Sequence, residues 1–172
     1  MKKIVGFVSA CGFVVLLLGL FWENGAVNRA QEQPNTMPKV PSLELLDLDG
    51  NSVNLSDYSG TIRIVDFWAT WCPPCRAEIP HFVALSREYP EVTVIGISLD
   101  RTGPEKVRVY AEELGIEYPL LMGTMAAVEA FGGVTSIPTT FVIDQKGTVI
   151  RKYVGYRPKS VFEADILHLS KL

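Results

Sequence analysis

Reactive and metal-binding side chains are scarce in this chain of 172 residues. It has three cysteines, Cys11, Cys72 and Cys75, and two histidines, His81 and His168. Because Cys11 lies in an apolar N-terminal run, the folded part has a single cysteine pair. That number excludes the multiple-disulfide framework of small secreted proteins. A structural zinc site would need further cysteine or histidine ligands, so the scarcity favours a catalytic pair over zinc or a structural bridge.

The chain also lacks an excess of positive charge. Its 16 lysine and arginine residues face 19 acidic residues, which gives a formal net charge of −3. Proteins that bind nucleic acid present a basic surface to the phosphates, so no nucleic-acid partner is expected. Neither a metal nor an organic cofactor is predicted. The remaining composition is that of a globular protein, and the length suits one domain with short additions.

One long apolar segment is present, at the N-terminus. Lys2 and Lys3 precede an uncharged, mostly apolar run over residues 4–22. This run is about as long as the roughly 17–25 residues that a transmembrane helix needs. Because lysines mark the cytoplasmic side, we expect a cytoplasmic tail at 1–3, a transmembrane anchor at 4–22 and a domain outside the cytoplasm.

Two other interpretations of this segment stay open. A cleaved signal peptide needs small residues at the −3 and −1 positions, and residues 24–30 offer poor candidates. Lipoprotein processing at Cys11 would leave a very short apolar segment before the cysteine and a long one after it.

The rest of the chain divides into a linker at 23–41 and a domain at 42–172. Residues 31–41 are polar and rich in proline, so they cannot build a core. In the domain, the β-α-β opening demands a parallel strand pair, which predicts an α/β fold with a central sheet flanked by helices. Hydrophobic periodicity and turn residues predict a hairpin at 42–55, strands at 61–69, 92–99, 118–122, 139–144 and 148–154, and helices at 76–89, 104–114, 125–131 and 159–170.

Cys72 and Cys75 lie between a buried strand and a helix, separated by Pro73 and Pro74. In this setting, two cysteines three positions apart predict a dithiol/disulfide redox site. A helix N-terminus carries unpaired N–H groups and positive partial charge. A thiolate there is stabilised, so its pKa falls and it becomes the reactive species.

Two segments resemble a known family. Residues 67–80, Phe-Trp-Ala-Thr-Trp-Cys-Pro-Pro-Cys-Arg-Ala-Glu-Ile-Pro, resemble the active-site segment of thioredoxin-fold proteins, above all the membrane-anchored TlpA/ResA type. Residues 134–141, Val-Thr-Ser-Ile-Pro-Thr-Thr-Phe, resemble the second active-site loop of that family, whose proline is cis. The resemblance covers about residues 38–170. It implies a thioredoxin fold with a mixed sheet, an N-terminal β-hairpin extension and a central αβ insertion.

The resemblance also implies an activity and partners. Members of this family exchange thiols and disulfides outside the cytoplasm, usually as reductants, for example of apocytochrome c during cytochrome c maturation. The expected partners are protein substrates with thiols or disulfides and a membrane electron donor of the DsbD or CcdA type. The expected location is the bacterial cell membrane, with one membrane pass. Ile137 and Pro138 would form the substrate-docking wall opposite Cys72.

The two prolines bear on the direction of electron flow. Cys72 is the expected nucleophile, and Cys75 would resolve the mixed disulfide. Neither Pro73 nor Pro74 can donate a hydrogen bond to the Cys72 thiolate, which leaves the Cys75 amide, the Arg76 amide and the Cys75 thiol. We therefore expect a moderate lowering of the Cys72 pKa, as in a reductant.

Two acidic residues are candidates near the cysteines. Asp66 interrupts a buried apolar run, either as a strand-end residue turned to water or as a buried carboxylate. Its position matches the buried aspartate of thioredoxin, which would relay a proton to or from Cys75 with a pKa raised by desolvation. Glu78 follows Cys75 by three residues and is predicted to face solvent. Because relatives carry glutamate there, it is also a possible modulator of the site.

Trp71 and Trp68 are expected to differ in role. Trp71 would lie at the rim and contact substrates, whereas Trp68 would belong to the core. The two histidines are expected at the surface.

Two alternative functions remain. A peroxiredoxin-like thiol peroxidase would need threonine three residues before its reactive cysteine, where this chain has Ala69. A metal- or haem-handling chaperone would use the cysteines with a histidine as ligands.

Overall fold

The structure, a computed structural model, describes residues 39–171. Within that range no helix is both long and apolar enough to cross a bilayer, and the predicted anchor at 4–22 lies outside it. The elements, in chain order, are β1 (Glu44–Asp47), β2 (Ser52–Asn54), a 3-10 helix (Leu55–Tyr58), β3 (Ile62–Trp68), α1 (Pro73–Glu88), β4 (Val92–Ser98), α2 (Pro104–Leu114), β5 (Leu120–Met122), α3 (Met125–Ala130), β6 (Thr139–Ile143), β7 (Val149–Val154) and α4 (Lys159–Leu169).

The strands form one mixed sheet in the order β2-β1-β5-β4-β3-β6-β7. β3 and β4 are parallel, as are β4 and β5. β6 is antiparallel to β3, and β7 to β6. The N-terminal hairpin joins the sheet through β1, which pairs antiparallel with β5. The predicted α/β architecture, including the hairpin and the inserted α2-β5 segment, is confirmed.

Both faces of the sheet are covered, which explains why β3 is almost continuously apolar. On one face, Ile62, Ile64 and Trp68 pack with residues of α1 and α4. On the other face, Val65 and Phe67 belong to a second cluster. There the ring centroids of Phe67 and Phe131 lie 5.1 Å apart in an edge-to-face arrangement, a favoured geometry for aromatic pairs.

The helix after the cysteines includes both prolines. α1 starts at Pro73, so Pro73 and Pro74 form its first turn ahead of the helical stretch predicted from Arg76. The first helical positions have no intrahelical partner for their N–H groups, and proline's fixed φ suits them.

Candidate active site

Cys72 and Cys75 form a disulfide at the N-terminus of α1. Cys72 is the N-cap residue, with an extended backbone (φ −95°, ψ 104°), as expected for a residue before proline. The Cys75 side chain is fully buried, whereas Cys72 keeps 3% of its surface exposed. Of the two sulfurs, that of Cys72 is thus the one nearer to solvent.

Few backbone donors reach the Cys72 sulfur. The Cys75 N–H donates to Cys72 Sγ at 3.3 Å. The Arg76 N–H was the other backbone amide predicted to be available to the Cys72 sulfur. It donates instead to the Cys72 carbonyl oxygen at 3.1 Å. Since Pro73 and Pro74 have no N–H, one backbone donor faces the sulfur.

The loop that leads to Cys72 is held by a network that the sequence analysis missed. The Thr70 N–H and hydroxyl donate to the two carboxylate oxygens of Asp100, at 2.8 and 2.6 Å. The Ser98 hydroxyl donates to the same carboxylate at 3.0 Å. Thr70 follows the end of β3, and Asp100 follows the end of the parallel strand β4. Their shared position after neighbouring parallel strands was the sequence signal that could have predicted this contact. The buried carboxylate ties the loop to the neighbouring strand.

The Ile137–Pro138 peptide bond is cis, as the resemblance implied. Pro138 is buried and Ile137 half-buried. β6 begins directly afterwards, with Thr139 paired to Phe67 near the end of β3. Because the cysteines also follow the end of β3, the cis-proline loop and the disulfide lie at the same end of the strands.

The side chain of Asp66 lies in the interior. It keeps 2% of its surface exposed, which excludes the strand-end interpretation. Side chains alternate along a strand, so Asp66 shares the face of Ile64 and Trp68, which pack in one cluster with Cys75. The Thr140 hydroxyl donates to Asp66 Oδ1 at 3.1 Å.

Burial sets the protonation of Asp66. It raises the pKa of the carboxyl well above its ordinary range, the charge of Glu78 raises it further, and the Thr140 hydrogen bond opposes both. An acid in this environment stays protonated at pH values where an exposed aspartate is ionised. The raised pKa makes this carboxyl a weaker acid than an exposed aspartate, so it holds its proton more tightly.

The prediction that Glu78 faces solvent is wrong. The side chain is fully buried, because position i+3 from Cys75 lies on the same, inward helix face. The Arg157 N–H donates to Glu78 Oε1 at 2.8 Å. Glu78 Oε2 is buried with no hydrogen-bond partner among the described residues. Burial raises the pKa of Glu78 to about 7, although the Arg157 amide and guanidinium act against it.

The two tryptophans differ as expected. Trp71 is 62% exposed, directly before Cys72, whereas Trp68 is buried in the core. Of the histidines, His168 is exposed but His81 is half-buried, with its ring centroid 5.7 Å from that of Tyr156. In residues 39–171, no group of three potential metal ligands comes together.

The disulfide lies at a helix N-terminus, beside a cis-proline loop at the same end of the strands and near a buried acid. This combination defines a thioredoxin-fold protein with a redox-active disulfide. A family model described as the AhpC/TSA family matches residues 37–152, and the chain belongs to this family.

Individual relatives and solved structures support the same assignment. The chain is 33% identical over 132 residues to the thioredoxin-like protein YneN of Bacillus subtilis, covering 74% of this chain and 76% of YneN. It is 30% identical over 157 residues to the thiol-disulfide oxidoreductase ResA of Bacillus thuringiensis, covering 90% of this chain and 86% of ResA. The crystal structure of a thioredoxin-family thiol:disulfide interchange protein from Chlorobium tepidum superposes with a TM-score of 0.71 at 36% identity, covering 77% of this chain and 96% of that one. The chain is an enzyme of the thiol-disulfide oxidoreductase class.

Proposed function

We propose that this enzyme reduces disulfides of protein substrates outside the cytoplasm through the Cys72/Cys75 dithiol. Apocytochrome c is the example that the ResA resemblance suggests. Residues 4–22 would anchor the protein in the bacterial membrane, followed by a linker to residue 41. A membrane donor of the DsbD or CcdA type would return two electrons to the disulfide after each turnover.

The proposed cycle has two exchange steps. The Cys72 thiolate attacks one sulfur of the substrate disulfide, which forms a mixed disulfide and releases the other substrate sulfur as a thiolate. Cys75 then loses its proton and attacks Cys72 Sγ. This step releases the second substrate thiol and forms the enzyme disulfide, so the substrate gains two electrons and the enzyme loses two.

Substrate docking would use the surface around Cys72. The exposed indole of Trp71 offers an apolar contact beside the reactive sulfur. On the opposite side, the backbone before the cis Pro138 would pair with an extended substrate segment, as in strand addition. Ile137, half-buried beside it, would complete the wall.

Asp66 and Glu78 are the proposed proton-handling groups. Asp66 would accept the proton of Cys75 when the mixed disulfide is resolved, and return it on reduction. Glu78, one helical turn from Cys75, would modulate this transfer, because its negative charge raises the pKa of Asp66. Raised pKa values would make both carboxylates stronger bases than exposed ones, which suits uptake of the Cys75 proton.

The proposal that the enzyme acts as a reductant rests on one observation: a single backbone N–H donates to Cys72 Sγ. Each hydrogen bond to a charged group contributes about 1.5–3 kcal/mol, or roughly one to two units of pKa. Pro73, Pro74 and the bonded Arg76 amide withhold such bonds. A thiolate with little stabilisation makes the reduced form less stable, which favours donating electrons.

Two measurements test the proposal. The reduction potential of the Cys72–Cys75 pair, equilibrated with glutathione or dithiothreitol, should lie nearer to thioredoxin at about −270 mV than to the oxidant DsbA at about −120 mV. Thiolate absorbance near 240 nm should show Cys72 titrating only moderately below the ordinary cysteine range. A DsbA-like potential, or a strongly acidic Cys72, would reverse the proposed direction.

Substrates can be identified by trapping. A Cys75→Ser variant should accumulate mixed disulfides with its substrates, because the resolving thiol is missing. A Cys72→Ser variant is the matched control and should trap none. Equal trapping by both variants would contradict the assignment of Cys72 as the nucleophile.

The peroxidase alternative is not supported by the residues before Cys72. Position 69 is a buried alanine, and the nearby Thr70 hydroxyl donates to Asp100. Consumption of hydrogen peroxide by the reduced enzyme would restore this alternative. Metal or haem handling is tested by metal analysis after reconstitution of the reduced protein.

A further inference from the structure

Arg63 is a buried cation at the end of the sheet opposite to the disulfide. It is the second residue of β3, five steps of about 3.3 Å along the strand from Trp68 at the other end. Only 3% of its surface is exposed. A guanidinium is always charged in proteins, so its burial calls for hydrogen-bond and charge partners.

The partners of Arg63 among residues 39–171 are incomplete. Nη1 donates to the Leu55 carbonyl oxygen at 3.1 Å. Nε is buried and has no hydrogen-bond partner there. None of the ion pairs within 4.0 Å in this part of the chain includes Arg63. A carbonyl partner satisfies one donor but brings no negative charge to balance the guanidinium.

Arg63 lines a cavity of about 180 Å³ where three segments meet. The first is the start of the described chain, where the Val40 N–H donates to the Gly147 carbonyl at 2.8 Å. The second is the turn between β6 and β7, and the third is the 3-10 helix region. The volume is roughly six times the ~30 Å³ share of one liquid water molecule, which is enough for a small anion with some of its hydration shell.

The turn between β6 and β7 approaches the guanidinium closely. Gly147 has φ +85°, and a Cβ placed on it would lie 3.3 Å from Arg63 Nη2. A glycine at this position both allows the turn and leaves the guanidinium room.

The cavity is positively charged. Lys39 and Lys146 join Arg63 in its lining. Asp144, whose charge acts on Arg63, is not part of the lining, and its Oδ1 accepts the N–H groups of Lys146 and Thr148 at 3.0 and 2.7 Å. Three cations in the lining against this one acid leave the side-chain charge at the cavity positive.

Two serine hydroxyls of the lining are already bonded as donors. The Ser56 hydroxyl donates to Asn54 Oδ1 at 2.8 Å, and the Ser59 hydroxyl donates to the Ser56 carbonyl oxygen at 2.5 Å. The charged donors of Arg63 and the two lysines are therefore the strongest donors that the lining offers to an anion.

We propose that this cavity binds a phosphate group, with the Arg63 guanidinium as its anchor and Lys39 and Lys146 as its rim. Guanidinium N–H groups match the geometry of phosphate oxygens, and such charge-assisted bonds are among the strongest in proteins. The phosphate group belongs either to a free anion or to the headgroup of an anionic membrane lipid. The site is separate from the cysteine chemistry, so its test does not depend on the proposed function.

Binding is measured on the full chain in a neutral detergent, with inorganic phosphate as the probe. Calorimetry at constant ionic strength, compared with chloride, should show saturable binding at one site. The amide resonances of Lys146 and Gly147 should shift in the same titration. A second arm places the full chain in nanodiscs of zwitterionic lipid, with or without an anionic glycerophospholipid and with no added phosphate.

The variants separate a built site from general charge attraction. Lys39→Ala/Lys146→Ala removes the rim and should weaken binding about fivefold or more, as expected for two partly screened charge interactions. Lys106→Ala/Lys171→Ala removes the same charge from exposed positions elsewhere and should leave binding unchanged. Arg63→Gln should abolish binding. The rim variant keeps the test valid if Arg63→Gln does not fold.

Each outcome of these measurements either supports or overturns the phosphate site. Phosphate binding that the rim variant weakens and the Lys106→Ala/Lys171→Ala variant leaves unchanged supports the site with a free anion. If the Lys146 and Gly147 resonances respond only to anionic nanodiscs, and only with the rim intact, the ligand is a lipid headgroup. Equal weakening in both double variants, or no response to either probe, overturns the proposal.

Discussion

The Glu78 carboxyl should make the stability of the oxidised enzyme depend on pH. Its pKa is raised from the ordinary 4.5 to about 7 in the folded state. Between these values the unfolded state has released its proton while the folded state still holds one. Stability therefore falls as pH rises from about 4.5 to about 7, and this contribution is constant above that range. The difference in pKa, at about 1.36 kcal/mol per unit, corresponds to about 3 kcal/mol.

A Glu78→Gln variant removes this titration with little change in shape. The glutamine Oε1 can keep the hydrogen bond from the Arg157 N–H. Urea unfolding of the oxidised full chain, followed by tryptophan fluorescence, gives the free energy of unfolding at each pH. Relative to the variant, the natural protein should lose about 3 kcal/mol between about pH 4 and pH 8.

Asp66 needs its own control, because its raised pKa changes stability in the same direction. The comparison is therefore repeated in an Asp66→Asn background, where only Glu78 titrates among the pair. The Glu78 contribution should persist there at similar size, because the raised pKa of Glu78 comes from burial and not from Asp66. A stability difference between glutamate and glutamine that stays flat from about pH 4 to pH 8 would refute the argument that burial controls this carboxyl.

Three further changes test other parts of the structure. Asp66→Asn should slow reduction of a protein disulfide at neutral pH by about tenfold or more; unchanged stopped-flow rates would contradict the proton relay. Gly96→Ala would place a Cβ 2.6 Å from Leu120 Cδ2 and 2.9 Å from Trp68 Nε1. It should cost about 1–3 kcal/mol in urea unfolding, and an unchanged midpoint would show that these side chains move freely. Trp71→Ala should leave stability within about 0.5 kcal/mol and raise the KM for a protein substrate but not for a small aromatic disulfide; parallel changes for both substrates would argue against a docking role.

Much of the fold followed from local patterns. The alternation and turn residues around Asp49 and Gly50 predicted the N-terminal hairpin, and the nearly continuous apolar run of β3 predicted a strand covered on both faces. Helix ends marked by proline and glycine were also predictable, as at Gly115, which ends α2 in a left-handed conformation (φ 63°). These signals depend on neighbours along the chain, so a sequence displays them directly.

The features that the sequence did not predict depend on contacts between distant segments. Burial of Glu78 requires the Arg157 amide, 79 positions away along the chain. The Thr70–Asp100 bond joins the ends of two strands that are neighbours only in the sheet. Arg63 sits at a strand start, where an arginine ordinarily turns to water, and only the packing of the 3-10 helix and the β6–β7 turn encloses it. Charged residues alone do not reveal which of them the fold will cover.

The order of the strands also bears on aggregation. The proposed protein substrates would present extended segments that could pair with an open sheet edge. Here one edge is β2, which has only three residues. The other is β7, where Arg151 and Lys152 are exposed and where the pairing with β6 is irregular near Ile143. Short length, charge and an irregular register each discourage edge-to-edge pairing, so the two edges are poor templates for fibrils even while the proposed docking at the cis-proline loop holds a substrate strand.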